Sequence, residues 1–300
     1  MDKPIKLKDC LLAAAIGDIC GSPWEFAPNK NLTLKGFQEC MIFDYQRSLA
    51  KAEGFRSTPL FENSGFKRYP HYPMATDDSI CTFAIAEAVL NNIDITKNLA
   101  ERCSQEAHRG YGSMYVRWLM NPEKKPYGSF GNGSAMRCSI AGWYPDNIDD
   151  VKDLAYKTAA PTHNHPEGIK GAQVSAVATF MGRCGKPKEE IYEYIISNYS
   201  DWQNKSFADV QPGYKFDVTC QGSVPMVAIC LRESNSFEEC ILKCIQTGGD
   251  TDTLGAIAGP IAYSIYRNAP VYMFELAEKY LPKWCLEINE QFNKWIDENP

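Results

Sequence analysis

Residues 7–20, rich in alanine and leucine, run without any two-residue alternation into Gly21-Ser22-Pro23. A half-buried strand needs a period of two; without it, and with a closing proline that cannot continue a helix, this run is expected to be a buried helix. The same signature returns along the chain. From Ser79 to Leu90, residues Ile80, Phe83, Ala84 and Ala88 share one stripe, and Asn91-Asn92 ends it. Further helices are expected at about 94–108, 149–159, 168–183, 187–199, 222–232, 237–247, 254–267 and 271–297, with Ser236 and Glu239 at capping-box spacing. Strand signals are confined to 38–45 and 66–73, the second weakened by Pro70 and Pro73. The expected fold class is all-α. Segments 27–75 and 201–221 read as irregular and are rich in aromatic, glycine, proline and polar residues.

Composition narrows the function classes. With 44% apolar and 23% charged residues, the 300-residue chain is an ordinary globular one. No stretch reads as a linker, so residues 1–300 are expected to form one domain. A net charge of −6 without long runs of either sign argues against general nucleic-acid binding. No apolar run approaches the roughly eighteen residues of a spanning helix, and the first residues do not read as a signal peptide. Twelve cysteines without a single CxxC, most inside apolar runs, suit reduced thiols in a cytoplasmic protein. No heptad or apolar edge strand stands out, and a monomer is expected.

Two acidic clusters carry the chemistry. Thr76-Asp77-Asp78-Ser79 precedes an apolar helix, so its carboxylates lie beside low-dielectric core and need a compensating positive charge or strong hydrogen bonds. One of the two aspartates can alternatively be a helix cap, with the other solvated. The second cluster, Thr247-Gly248-Gly249-Asp250-Thr251-Asp252-Thr253, joins two apolar helices, and the small residues of Leu254-Gly255-Ala256-Ile257-Ala258-Gly259 let helices approach closely. Oxygen-only donor sets of this kind suit a hard cation such as magnesium or manganese. If the two helices pack, then Thr76, Asp77, Asp78, Asp250, Asp252 and Thr253 can surround one or two ions.

These clusters occur in fixed order with Ala15-Ile16-Gly17-Asp18, Trp24-Glu25-Phe26, Gly128-Ser129-Phe130-Gly131-Asn132-Gly133-Ser134-Ala135-Met136-Arg137, and Thr162-His163 followed by Pro166-Glu167-Gly168. In this combination the chain resembles the ADP-ribosylglycohydrolase family over about residues 10–267. The resemblance implies a compact single-domain orthogonal helical bundle with two magnesium ions in a cleft, manganese being the alternative. It implies Thr76, Asp77, Asp78, Asp250, Asp252 and Thr253 as metal ligands and Glu25 as a mobile carboxylate, with Glu25, Asp77 and Asp78 as the catalytic acids. Five carboxylates against two divalent ions leave one net negative charge, which a helical core tolerates. The implied reaction is hydrolysis of the C1″ glycosidic bond of ADP-ribose attached to a protein side chain or a small molecule.

Consecutive glycines allow close backbone approach to a diphosphate, so Gly128, Ser129, Gly131, Asn132 and Gly133 are expected on the substrate, with Phe130 offering a face to adenine. His163 is expected to line the cleft. His165 is expected to cap a helix or stay exposed, because no third ligand is close enough in sequence for zinc. Arg137 is expected to hold a carboxylate or the phosphate, or to form a structural ion pair. Asp18 is read as a hydrogen-bond partner rather than a ligand, and Trp24, Trp118 and Trp143 as core, a wall of the ribose pocket being the alternative for Trp24. Family members acting on arginine-linked ADP-ribose carry an aspartate where Ser129 stands, which favours O-linked substrates such as ADP-ribosylserine here. The other readings are a two-metal hydrolase of a different nucleotide or phosphoester and a silent ADP-ribose binder.

Overall fold

The computed structural model describes residues 3–42 and 73–300, and within them no strand forms; Gly131 and Thr219 make an isolated antiparallel bridge. The helices of eight residues or more lying wholly inside the described residues are α1 (Leu12–Gly21), α2 (Asp77–Leu90), α3 (Ile95–Gln105), α4 (Ser113–Met120), α5 (Ile148–Ala159), α6 (Pro166–Arg183), α7 (Lys188–Ser197), α8 (Cys220–Arg232), α9 (Phe237–Gln246), α10 (Thr251–Tyr266), α11 (Val271–Tyr280) and α12 (Lys283–Glu298). The chain is thus all-α, as its patterning requires.

Every residue of α1 is buried, and α10 is buried from Thr251 to Ser264. The two cross backbone against backbone. A Cβ added to Gly17 would lie 1.9 Å from the Gly255 carbonyl oxygen, one on Gly255 2.2 Å from the Gly17 oxygen, and one on Gly259 2.0 Å from the Ala13 oxygen. Only glycine fits at such separations, and Thr251 Oγ1 donates to the Gly21 carbonyl at 2.8 Å to close the crossing. The end of α1 and the start of α10 are thereby fixed to one another.

Caps set where the helices begin. Thr76, Asp94, Asn147, Thr219 and Ser236 each accept a backbone N–H from the first turn of the helix they precede. Ser236 makes half of the expected box: its hydroxyl accepts from Glu239 N, but the Glu239 carboxylate takes the Asn235 N–H instead. Asp250 precedes α10 with no capping bond, because its carboxylate is engaged elsewhere.

Three expectations are corrected. The run 271–297 is two helices, since the residue before a proline is driven out of the helical region: Leu281, at φ −73° and ψ 142°, breaks the chain ahead of Pro282. Residues 38–42 are helical, not strand; 43–45 and 66–72 lie outside the described residues. Helix α4, inside 106–121, has no counterpart among the expected elements. The segment 201–219 is largely irregular, with one short helix at Phe207–Val210.

Candidate active site

The starts of α2 and α10 and the segment following α1 open onto one cavity of about 730 Å³. That volume is in the range of sites for drug-sized or nucleotide-sized molecules. Of the residues singled out in the sequence, Glu25, Thr76, Asp77, Asp78, Ser129, Gly131, Asn132, Gly133, His163, Asp250, Asp252 and Thr253 line it. Gly128, Phe130 and Trp24 are not in its wall. Phe130 is instead 46% exposed, with its ring 5.3 Å from that of His165.

Two carboxylate groups form, with Asp252 in both. Oxygens of Asp18, Asp78 and Asp252 lie within 4.8 Å of one another, and so do oxygens of Glu25, Asp250 and Asp252. Asp77 lines the cavity but belongs to neither group. Asp18 is already saturated: Oδ1 accepts from Thr76 Oγ1 at 2.7 Å, while Oδ2 accepts from Thr76 N at 2.9 Å, from Ser79 N at 3.1 Å and from Ser79 Oγ. It pins the start of α2. Asp78 is different, since its Oδ1 is buried with no hydrogen-bond partner among the described residues. Leaving a buried carboxylate oxygen bare is costly, and a cation at that point removes the cost. With six acidic side chains converging, an all-oxygen donor set for a hard divalent ion is present.

Burial and mutual repulsion push these acids up. Desolvation raises Asp77, Asp78, Asp250 and Asp252 above the usual carboxylate range, with neighbouring charges adding for each. Asp18 is raised to about 6 by burial, and Glu25 to about 7 by burial and then by the charge of Asp250. Asp250 is steadied by Asn132, whose Nδ2 donates to Oδ2 at 2.8 Å and also reaches Ser223 Oγ at 3.0 Å. Asn132 thus joins the glycine-rich segment to the start of α10.

That segment is held from three sides. Asn132 N donates to the Val218 carbonyl at 2.8 Å and Cys220 N to the Phe130 carbonyl at 3.1 Å. Ser134 Oγ donates to the Gly168 carbonyl at 2.7 Å. His163 backs the glycines, since a Cβ on Gly133 would lie 3.1 Å from its ring. Burial lowers His163 well below its ordinary value and keeps it neutral. His165 caps α6, its Nδ1 accepting from Glu167 N at 3.1 Å. Arg137 also lines the cavity, and among the described residues it pairs with no carboxylate. Its guanidinium donates to the Thr158 and Ala159 carbonyls and to Thr162 Oγ1, because the carbonyl end of α5 itself offers negative charge.

Sequence reasoning missed the segment 108–115, which supplies His108, Arg109, Gly110, Gly112, Ser113, Met114 and Tyr115 to the wall. Arg109 braces the acidic turn, its carbonyl accepting from Asp77 N at 2.8 Å and its Nη1 donating to the Ala75 carbonyl at 3.1 Å. It also missed Phe216, which stacks on Phe26 with centroids 5.7 Å apart. The aromatic content of 201–221 was the available signal.

Fold and site together define a class: an all-helical protein that gathers carboxylates from helix starts at the base of a deep cavity. A family model described as ADP-ribosylglycohydrolase matches residues 3–267, so the chain belongs to this family of ADP-ribosyl hydrolases. Among curated relatives it is 24% identical to the ADP-ribosylhydrolase ARH3 of Gallus gallus, over 89% of this chain and 87% of that protein. It is 23% identical to the ARH3 of Homo sapiens, over 87% and 85%. The ADP-ribosyl-[dinitrogen reductase] glycohydrolase of Rhodospirillum rubrum is 24% identical over 57% of each chain. A solved structure titled ADP-ribosylglycohydrolase-related protein complex superimposes with a TM-score of 0.64 at 20% identity, covering 97% of this chain and 96% of that one, and shares the fold.

Proposed function

We propose that this protein is a metal-dependent hydrolase that cleaves the C1″ glycosidic bond of ADP-ribose joined to a protein side chain or a small molecule, releasing ADP-ribose. The observation that carries the reading is Asp252, shared by two carboxylate groups beside the unpartnered Oδ1 of Asp78. The residues to hold two magnesium ions are Thr76, Asp77, Asp78, Asp250, Asp252 and Thr253. Bound there, divalent ions supply Lewis acidity toward sugar hydroxyls and water.

The chain's own groups do the rest. Glu25, in the cavity wall beside Asp250 and Asp252, is positioned to take a proton from water. Asn132 orients Asp250, and Gly131 and Gly133, packed against His163 with no space for a side chain, bring backbone to the cavity wall, where a diphosphate can approach it. Ser129 in the wall, where a carboxylate would assist an arginine leaving group, favours O-linked substrates such as ADP-ribosylserine.

The test is release of free ADP-ribose from serine-linked and arginine-linked peptides, with magnesium or with EDTA, for the native protein and Asp250→Ala. Metal-dependent release, faster from the serine-linked peptide and lost in the variant, is the expected result. Release that survives both EDTA and the substitution overturns the reading.

A further inference from the structure

Behind the catalytic acids, one turn along α2 from Asp77 and Asp78, the cavity wall contains a thiol. Cys81 lines the cavity, and its Sγ lies 3.7 Å from Sγ of Cys103 on α3. Tyr115 of α4 closes a triangle with them, its hydroxyl 3.6 Å from Cys81 Sγ and donating to Cys103 Sγ at 3.3 Å. Both cysteines are free. Both thiols are buried, but of the two only Cys81 is in the wall of this cavity, so a small reagent arriving from it meets Cys81 first.

We propose that Cys81 and Cys103 are a redox-active dithiol in the wall of the active-site cavity, closed to a disulfide by hydrogen peroxide, which silences the enzyme. In the first step Cys81 Sγ attacks one peroxide oxygen. The S–O bond forms, the O–O bond breaks, and the thiol proton leaves with the expelled hydroxide as water. Cys103 Sγ then attacks the sulfenic sulfur; the S–S bond forms, the S–O bond breaks, and the second thiol proton leaves with that hydroxyl as a second water. The two thiols give up two electrons and the peroxide takes them. The hydrogen bond to Cys103 and burial raise Cys81 well above its ordinary value, which makes the first step the slow one, whereas at Cys103 burial is outweighed by hydrogen bonds from Cys81 and Tyr115 that hold it below its own, which suits the closing step.

The cost to activity follows from geometry. A disulfide has a bond of about 2.05 Å, so the sulfurs must close from 3.7 Å and draw α2 toward α3 or turn its first side chains. Misplacing reacting groups by an ångström costs up to about 100-fold in rate. Only the activity arm rests on the hydrolase reading; the covalent assignment stands by itself.

The magnesium-loaded protein is treated with hydrogen peroxide, quenched, and digested without reductant. The expected result is a peptide joining Cys81 to Cys103, an intact mass lower by two hydrogen atoms, and at least about tenfold slower ADP-ribose release. Dithiothreitol restores the rate, while Cys103→Ser keeps its basal rate and forms no link. Peroxide that oxidises other residues while leaving Cys81 and Cys103 as thiols overturns the proposal without touching the hydrolase reading, and the map needs no variant to fold. A linked protein with unchanged turnover, or a Cys103→Ser rate as reversibly sensitive as the native one, overturns the inhibitory role. Absence of turnover in the untreated protein counts against the hydrolase reading alone.

Discussion

Asp78 holds a carboxylate oxygen in the interior with nothing among the described residues to satisfy it, and Asp18, Asp77 and Asp250 repel its charge. Such a side chain is maintained against stability. Replacing it by asparagine removes the repulsion, and in EDTA the Asp78→Asn protein is expected to melt a few degrees above the native one, about 1 kcal/mol or more, while losing metal-dependent turnover. Thermal unfolding followed by circular dichroism decides it: an unchanged or lower midpoint in EDTA contradicts the account. Glu25 makes a second prediction. If the proton acceptor is Glu25, then Glu25→Gln lowers kcat by roughly 100-fold to 10,000-fold, and the residual rate loses one ionisation of the native pH–rate profile. A variant that keeps every ionisation of the native profile would count against the assignment. At this scale Asp77, Asp78, Asp250 and Asp252 were legible because they stand at the head of apolar runs, although a helix cap accounted equally for one of the first pair, while Glu25 was legible only through the family resemblance. Asn132 was legible only as part of a glycine-rich segment; its bond to Asp250 spans 118 positions and leaves no local trace.

The crossing of α1 and α10 makes a prediction for whole elements. Gly17→Ala places a methyl group 1.9 Å from the Gly255 carbonyl oxygen, and two backbones cannot separate without moving both helix ends that carry the acids. It should destabilise by more than about 3 kcal/mol or prevent folding, whereas Gly112→Ala, with open space around it, should stay within about 0.5 kcal/mol. Equal midpoints for the two variants in urea unfolding would rule the crossing out as a structural constraint. Helices of this kind were readable from their own residues. Those missed were not: Ser113–Met120 leaves Met114, Val116 and Met120 exposed, so its apolar residues mark no single face. The break at Leu281-Pro282 had its signal in the proline, but proline alone does not decide it, since Pro225 lies inside α8 and Pro260 inside α10 without ending either helix. The stack of Phe26 on Phe216 belongs to two segments without periodicity, and only the tertiary fold brings them together.

At the scale of the whole molecule, acid–base linkage ties stability to metal. Asp18 and Glu25 are raised in the folded protein, to about 6 and about 7 from 3.8 and 4.5. For groups raised by folding, the stabilisation is complete below the unfolded values, near pH 4, and is lost as pH climbs through the folded ones. The metal-free protein therefore forfeits this contribution between about pH 4 and pH 7, and a cation that binds the ionised acids restores it. His163, lowered by burial, acts in the opposite direction, but it does so with or without the ion. The difference between melting temperatures in magnesium and in EDTA is thus expected to grow from pH 5 to pH 8. A difference that is constant or shrinks would mean that the acids are not the seat of binding.

The bond from Thr251 to Gly21 spans 230 positions, and the glycine crossing beside it joins segments equally remote in the chain. Synthesis runs at about 5–20 residues per second, so tens of seconds separate the emergence of the first acids from that of their partners. Throughout that interval a nascent chain exposes α1, apolar except for Asp18, and lacks half of its cation site. The consequence is a biogenetic one: the protein depends on being shielded while it is made, and a message truncated before the codons of α10 yields a chain with neither a seat for α1 nor a reason to bind metal.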